Sequence, residues 1–104
     1  MEFAILVHDA DRIRTLRLSG DLDLVGRDTF LDAITTAVAD GVSELLIDLG
    51  DLAFIDSTGI GALVRARHTA DQNSIRYAVI GATGRIADVL TLAGVLEFLS
   101  GAAE

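Results

Sequence analysis

Cysteine is absent from the 104 residues, which removes both a disulfide framework and any thiolate metal site. Lysine is absent as well. The eight basic residues are all arginine and lie dispersed among sixteen Asp and Glu, for a formal net charge of −8. Nucleic acids and anionic membranes are held by clustered Lys and Arg, so neither is expected as a direct partner. An acidic chain of this kind suits a partner with a basic face, since charge complementarity speeds encounter. No unbroken apolar run approaches the roughly 20 residues that span a bilayer. No basic, then apolar, then small-residue opening marks a secretion signal, and the cytoplasm is the expected compartment. Internal repeats and low-complexity linkers are missing too.

What the chain does contain is enough to build one core. Hydrophobic residues make up 51% and charged residues 23%, a balance that argues against disorder and for one small domain over residues 1–104. Residues 3–7 read as a strand, 9–11 as a hairpin turn, and 12–19 as a half-buried strand whose alternation slips around Thr15. Residues 21–24 read as a short edge segment. Between Gly26 and Asp40 the apolar positions Phe30, Ala33, Ile34, Ala37 and Val38 recur at helical spacing. Asp28 suits the first turn of that helix and Gly41 its C-terminal cap.

The second half alternates. A strand at 45–49 leads through the turn-like Gly50-Asp51 to the apolar 52–55, then to a helix from Ser57 to about Gln72. Asn73-Ser74 breaks that helix, and 75–80 form another strand. Thr83 caps a third helix with Ile86, Val89, Leu90 and Ala93 as its stripe; Gly94 stops it, and 95–99 add a brief strand. The expected order is β-β-(β)-α-β-α-β-α-(β). This is an α/β fold with a mixed sheet and helices packed on it, an antiparallel hairpin followed by right-handed parallel crossovers.

The chemistry concentrates at Asp56-Ser57-Thr58-Gly59-Ile60-Gly61, where strand passes into helix. Ser57 is placed to cap the helix and satisfy one of its unpaired N–H groups. Its surroundings are small: Gly59 and Gly61 cost up to ~1 kcal/mol each relative to alanine in a helix, and with Ala62 they leave a low surface open to close approach. Asp56 adds a negative charge beside the hydroxyl. Phosphorylation would add roughly −1.5 to −2 charges at the positive end of a helix, where an anion is tolerated. Such a modification acts on a partner rather than on the fold. Asp21 and Asp23 are expected beside this loop, as charged contacts or as a solvated turn.

Residues 52–61, Leu-Ala-Phe-Ile-Asp-Ser-Thr-Gly-Ile-Gly, resemble the signature of STAS domains, specifically the bacterial anti-sigma factor antagonists. Residues 18–23, Leu-Ser-Gly-Asp-Leu-Asp, resemble that family's segment after its second strand. Leu92-Ala93-Gly94-Val95 with Phe98 resemble its region after the third helix. The similarity runs from about Phe3 to Leu99. It implies a non-enzymatic binding module without cofactor or metal. The implied partner is an anti-sigma factor that is also a serine kinase, and Ser57 is the acceptor, with Thr58 as the alternative. A serine phosphatase reverses the modification. The unphosphorylated form sequesters the anti-sigma factor and frees sigma. Asp21, Asp23, Asp56, Ser57, Thr58, Gly59 and Gly61 are the implied partner-binding residues. Many members carry a further C-terminal helix, for which only 100–104 remain; without it the chain exposes apolar surface or forms a homodimer.

Other classes fit less well. A receiver domain phosphorylated on Asp48 or Asp51 needs an acidic pair after its first strand and a lysine near its last. A serine hydrolase needs a base for Ser57 and a Gly-x-Ser-x-Gly elbow, and neither His8 nor His68 is placed to serve. The nearest competitor is a STAS module of another assembly, a stress-signalling complex or a lipid-transport ATPase.

Overall fold

Side-chain alternation assigns the same face of every strand to the interior. β1 (Ala4–Ala10) and β2 (Ile13–Leu22) pair antiparallel, and β3 (Glu44–Ile55) and β4 (Arg76–Ile80) join in parallel, giving the order β1-β2-β3-β4. A computed structural model describes residues 1–100. Leu16, Leu18 and Leu22 of β2, Leu45, Ile47 and Leu49 of β3, and Tyr77 and Val79 of β4 are buried on one face. Thr15, Arg17, Leu46, Asp48 and Ala78, of opposite parity, are not. Right-handed crossovers carry α1 (Leu24–Asp40) and α2 (Ser57–Gln72) over the same side. α3 (Gly84–Leu92) and α4 (Leu96–Ser100) complete that core through Ile86, Leu90 and Leu99. Among the described residues no helix is long and apolar enough to cross a membrane.

Several expectations are corrected, each for a local reason. The hairpin turn lies at Asp11-Arg12, both at positive φ (53° and 67°), as a two-residue turn closing Ala10 against Ile13 requires. Alternation in β2 does not slip at Thr15. Arg14 takes a core-side position instead, and its guanidinium pairs with Asp9 at 2.8 Å and Asp40 at 2.9 Å. Residues 21–24 are no separate edge segment: β2 runs to Leu22, and Asp23 caps α1 by accepting from the N–H groups of Val25 (3.0 Å) and Gly26 (3.2 Å). α1 therefore starts before Gly26, and Asp28 lies beyond its first turn. Its buried residues Gly26, Phe30, Ile34 and Ala37 and its left-handed cap at Gly41 (φ 71°) follow the expected pattern.

No turn interrupts β3 at Gly50-Asp51. Arg17 and Ser19 pair with Asp48 and Asp51, and Gly20 and Asp21 with Leu52 and Phe54, so β3 carries an extra residue at two places. These bulges absorb the polar residues without ending the strand, and the Asp48 carboxylate accepts from the Gly50 N–H at 2.8 Å.

Residues 95–99, expected as a strand, lie in α4 and its approach. The chain turns at Gly94 (φ 75°), the Val95 N–H donates back to Leu90 O at 3.1 Å, and the Leu99 N–H donates to Val95 O at 2.9 Å, so no extended edge forms. Arg67 of α2, buried, pins this segment: it donates to the Phe98 carbonyl and stacks 4.7 Å over the Phe98 ring.

The Arg14 guanidinium, through its hydrogen bonds and charge, holds the Asp9 carboxyl below the usual carboxylate range. A depressed folded-state value stabilises above the unfolded pKa of about 4 and is lost as pH falls through the folded value. Asp9→Asn should therefore flatten the loss of stability below about pH 4, measured as thermal midpoint against pH; an unchanged acid limb would show that the pair contributes nothing.

Candidate functional site

Ile55 ends β3, and Asp56 (φ −118°, ψ −172°) stands outside the helix it starts. Its carboxylate accepts from the Gly59 N–H at 3.0 Å, and its carbonyl accepts from the Ile60 N–H at 2.9 Å. Asp56, rather than the expected Ser57, is thus the cap of α2. Both residue types cap well, and the one at the last extended position takes the role. Ser57 becomes the first helical residue, exposed, with a hydroxyl not used in capping; Thr58 beside it is half-buried.

The two glycines expected to act together have different jobs. Gly59 is buried, and a Cβ built there would lie 2.1 Å from the Leu22 carbonyl oxygen and 2.8 Å from Ile55 Cγ1. It lets the first turn of α2 sit against the end of β2 and offers no surface to a partner. Gly61 is exposed, and a Cβ there meets nothing within 4 Å. The low surface is therefore at Gly61 alone. Farther along, the buried Tyr77 hydroxyl donates to Leu63 O at 2.9 Å, fixing α2 over β4. Burial pushes the Tyr77 phenol far above its ordinary pKa, so it stays a donor.

The register Asp21↔Phe54 and Leu22↔Ile55 brings the end of β2 beside the end of β3. The starts of α1 and α2 consequently lie side by side at the carboxyl end of the sheet. Asp21 is half-buried and accepts from the Met1 amino group at 2.8 Å. Asp23 and Asp56 are half-buried caps. All three stand at the end of the sheet where α1 and α2 start, and each already has an intramolecular bond.

Sequence reasoning missed two groups. Arg27 and Arg65 line, with Leu31, Ser57, Thr58, Gly61 and Ala62, a shallow groove of about 310 Å³ between α1 and α2. The Ser57, Gly61, Arg65 spacing of i, i+4, i+8 marks one helix face and would have disclosed Arg65; Arg27 arrives from another helix. Leu24, Val25 and Phe54 are apolar yet 61%, 84% and 47% exposed at this end of the sheet. Leu24 and Val25 lie out of phase with the buried stripe of α1, a signal readable from the sequence.

The other candidates lie elsewhere. His8 is exposed on β1, and the exposed His68 ring stands 6.0 Å from that of Phe98. Asp48 faces Arg17 at 3.4 Å. Among the described residues no three His, Asp or Glu side chains converge as a metal-ligand set.

This arrangement of a hairpin, two parallel crossovers and a serine-bearing turn has a family. The STAS domain model matches residues 4–103. The chain belongs to the STAS domain family. An anti-sigma-B factor antagonist of Staphylococcus aureus is 22% identical over 89 residues, covering 86% of this chain and 82% of the relative. The crystal structure of an anti-sigma factor antagonist from Mycobacterium paratuberculosis superposes with a TM-score of 0.83 at 24% identity, over 94% of this chain and 83% of that one. SpoIIAA, an anti-sigma factor antagonist, matches in its unphosphorylated form with a TM-score of 0.79, at 21% identity over 93% of this chain and 85% of that one. The phosphorylated form, from Bacillus, gives 0.72 at 21% identity over 93% and 88%.

Within this STAS domain the glycines predict opposite outcomes. Gly59→Ala should lose about 1–3 kcal/mol through overpacking, while Gly61→Ala should be neutral or gain up to ~1 kcal/mol from helix propensity. Urea unfolding of both variants measures this, and equal effects would contradict the assigned packing.

Proposed function

We propose that this STAS domain is an anti-sigma factor antagonist switched by phosphorylation of Ser57. The observation that carries the reading is the placement of Ser57: exposed at the first position of α2, with capping left to Asp56. The names of its relatives support the same assignment, and one structural neighbour occurs in both unphosphorylated and phosphorylated forms.

Unmodified, the protein docks on an anti-sigma factor that is also a serine kinase, and sigma is set free. The exposed Leu24, Val25 and Phe54 supply the apolar part of that contact, and Asp21, Asp23, Asp56, Thr58 and Gly61 border it. Gly59 contributes by seating the helix. A phosphate on Ser57 lies at the positive end of α2, which tolerates it, so the fold persists. At the interface the same group is a desolvated anion, and the complex dissociates. A serine phosphatase restores the binding form. Ser57 is the acceptor rather than Thr58, whose side chain is half-buried.

Incubation with the kinase partner and ATP, followed by mass spectrometry, should place the phosphate on Ser57. Ser57→Ala should abolish incorporation and bind without being switched off, Ser57→Asp should weaken binding at least tenfold, about 1.4 kcal/mol, and Thr58→Ala should still be modified. Equal affinities for wild type and Ser57→Asp together with phosphate on Thr58 would defeat the reading.

A further inference from the structure

We propose that the groove between α1 and α2 is the seat of the Ser57 phosphate, and that Arg27 and Arg65 of the same chain grip it. This deepens the phosphorylation reading above and rests on it. Arg27, Arg65 and Ser57 line one concavity, with the small residues Gly61 and Ala62 beside them. Arg65 lies eight residues after Ser57, about 12 Å along the helix axis at 1.5 Å per residue, and helical side chains lean toward the N-terminus. An extended Arg65 therefore reaches back over Gly61 toward Ser57 and covers much of that span, and Arg27 enters the same groove from α1. Gly61, between Ser57 and Arg65 on the same face, puts no side chain in the way.

Both cations are available. Arg65 is exposed and makes no hydrogen bond or ion pair among the described residues. Arg27 spends only its Nε, at 3.2 Å from Asp28 Oδ1 on the neighbouring residue, which leaves both terminal nitrogens free for a two-pronged phosphate contact. The opposing charges are Asp28 beside Arg27, Asp56 with one oxygen engaged by the Gly59 N–H, and, at the same end of the sheet, Asp21 paired with the Met1 amino group and Asp23 capping α1.

The consequence is a change of sign in how the switch reads. In the unmodified chain the groove presents two positive groups within an acidic protein, a place for an acidic side chain of the partner. The phosphate brings two negative charges, draws both arginines onto itself, and leaves the groove filled and near neutral. Modification then removes a docking contact and fills the groove that the partner's acidic side chain would enter.

The first arm of the test needs no partner protein, and the second measures anti-sigma binding with and without the phosphate. Phosphoserine is installed at position 57 during translation, and ³¹P resonances of the full chain are titrated with pH. The second phosphate pKa should lie about one unit below its ordinary value near 6. It should return toward 6 in the Arg27→Gln/Arg65→Gln double variant, and Arg65→Lys should retain part of the shift. Both arginines lie at the surface, and a circular dichroism melt confirms that the variants fold. Identical titration curves for wild type and double variant would overturn the proposal. An arginine-dependent shift, combined with anti-sigma binding indifferent to the phosphate, would uphold the seat and sink the proposed function. Phosphate-sensitive binding with no arginine dependence would do the reverse.

Discussion

A carbonyl oxygen at the end of β2 and a missing Cβ at residue 59 decide where the functional turn stands. Leu22 O would be 2.1 Å from any β-carbon placed on Gly59, so only glycine lets the first turn of α2 close onto the sheet. That approach seats α2 against the sheet beside α1, so that their faces enclose one groove. The stability of the rest comes from ordinary burial of leucine, isoleucine and alanine. The placement of the hydroxyl comes from this contact.

Placing a modifiable group at the first helical residue separates two requirements. The backbone there tolerates an anion, so the folded state is largely insensitive to phosphate. An interface is not, because desolvating a dianion is costly unless it is paired. Under the proposed switch, a domain built this way transmits modification to its partner while keeping its own architecture. The exposed apolar Leu24, Val25 and Phe54 stand at the same end of the sheet as Ser57, which is what the proposed switch needs.

Legibility from sequence followed the range of the determining interaction. The buried stripe of α1, the extent of α2, the Gly41 cap, the break at Asn73-Ser74 and the parallel second half depend on local periodicity and were readable. Asp56 and Ser57 compete for one cap with similar preference, and only the last extended φ/ψ, set by β3, decides between them. Gly50-Asp51 looks like a turn in isolation; inside the sheet the extra residues become bulges because β2 goes on pairing with β3 beyond them, to Leu22 and Ile55. Residues 95–99 have strand-like composition, yet Arg67 and the core draw them into a helix. The groove was illegible for the same reason: Arg27 and Arg65 are 38 positions apart and meet only because two helices start side by side.

The most direct measurement of the central claim is sigma release. A preformed complex of sigma and anti-sigma factor is mixed with the unmodified chain or with the chain phosphorylated at Ser57, and free sigma is quantified by size-exclusion chromatography. The unmodified chain should displace sigma stoichiometrically and the phosphorylated chain should leave the complex intact. Equal displacement by both forms would contradict the account.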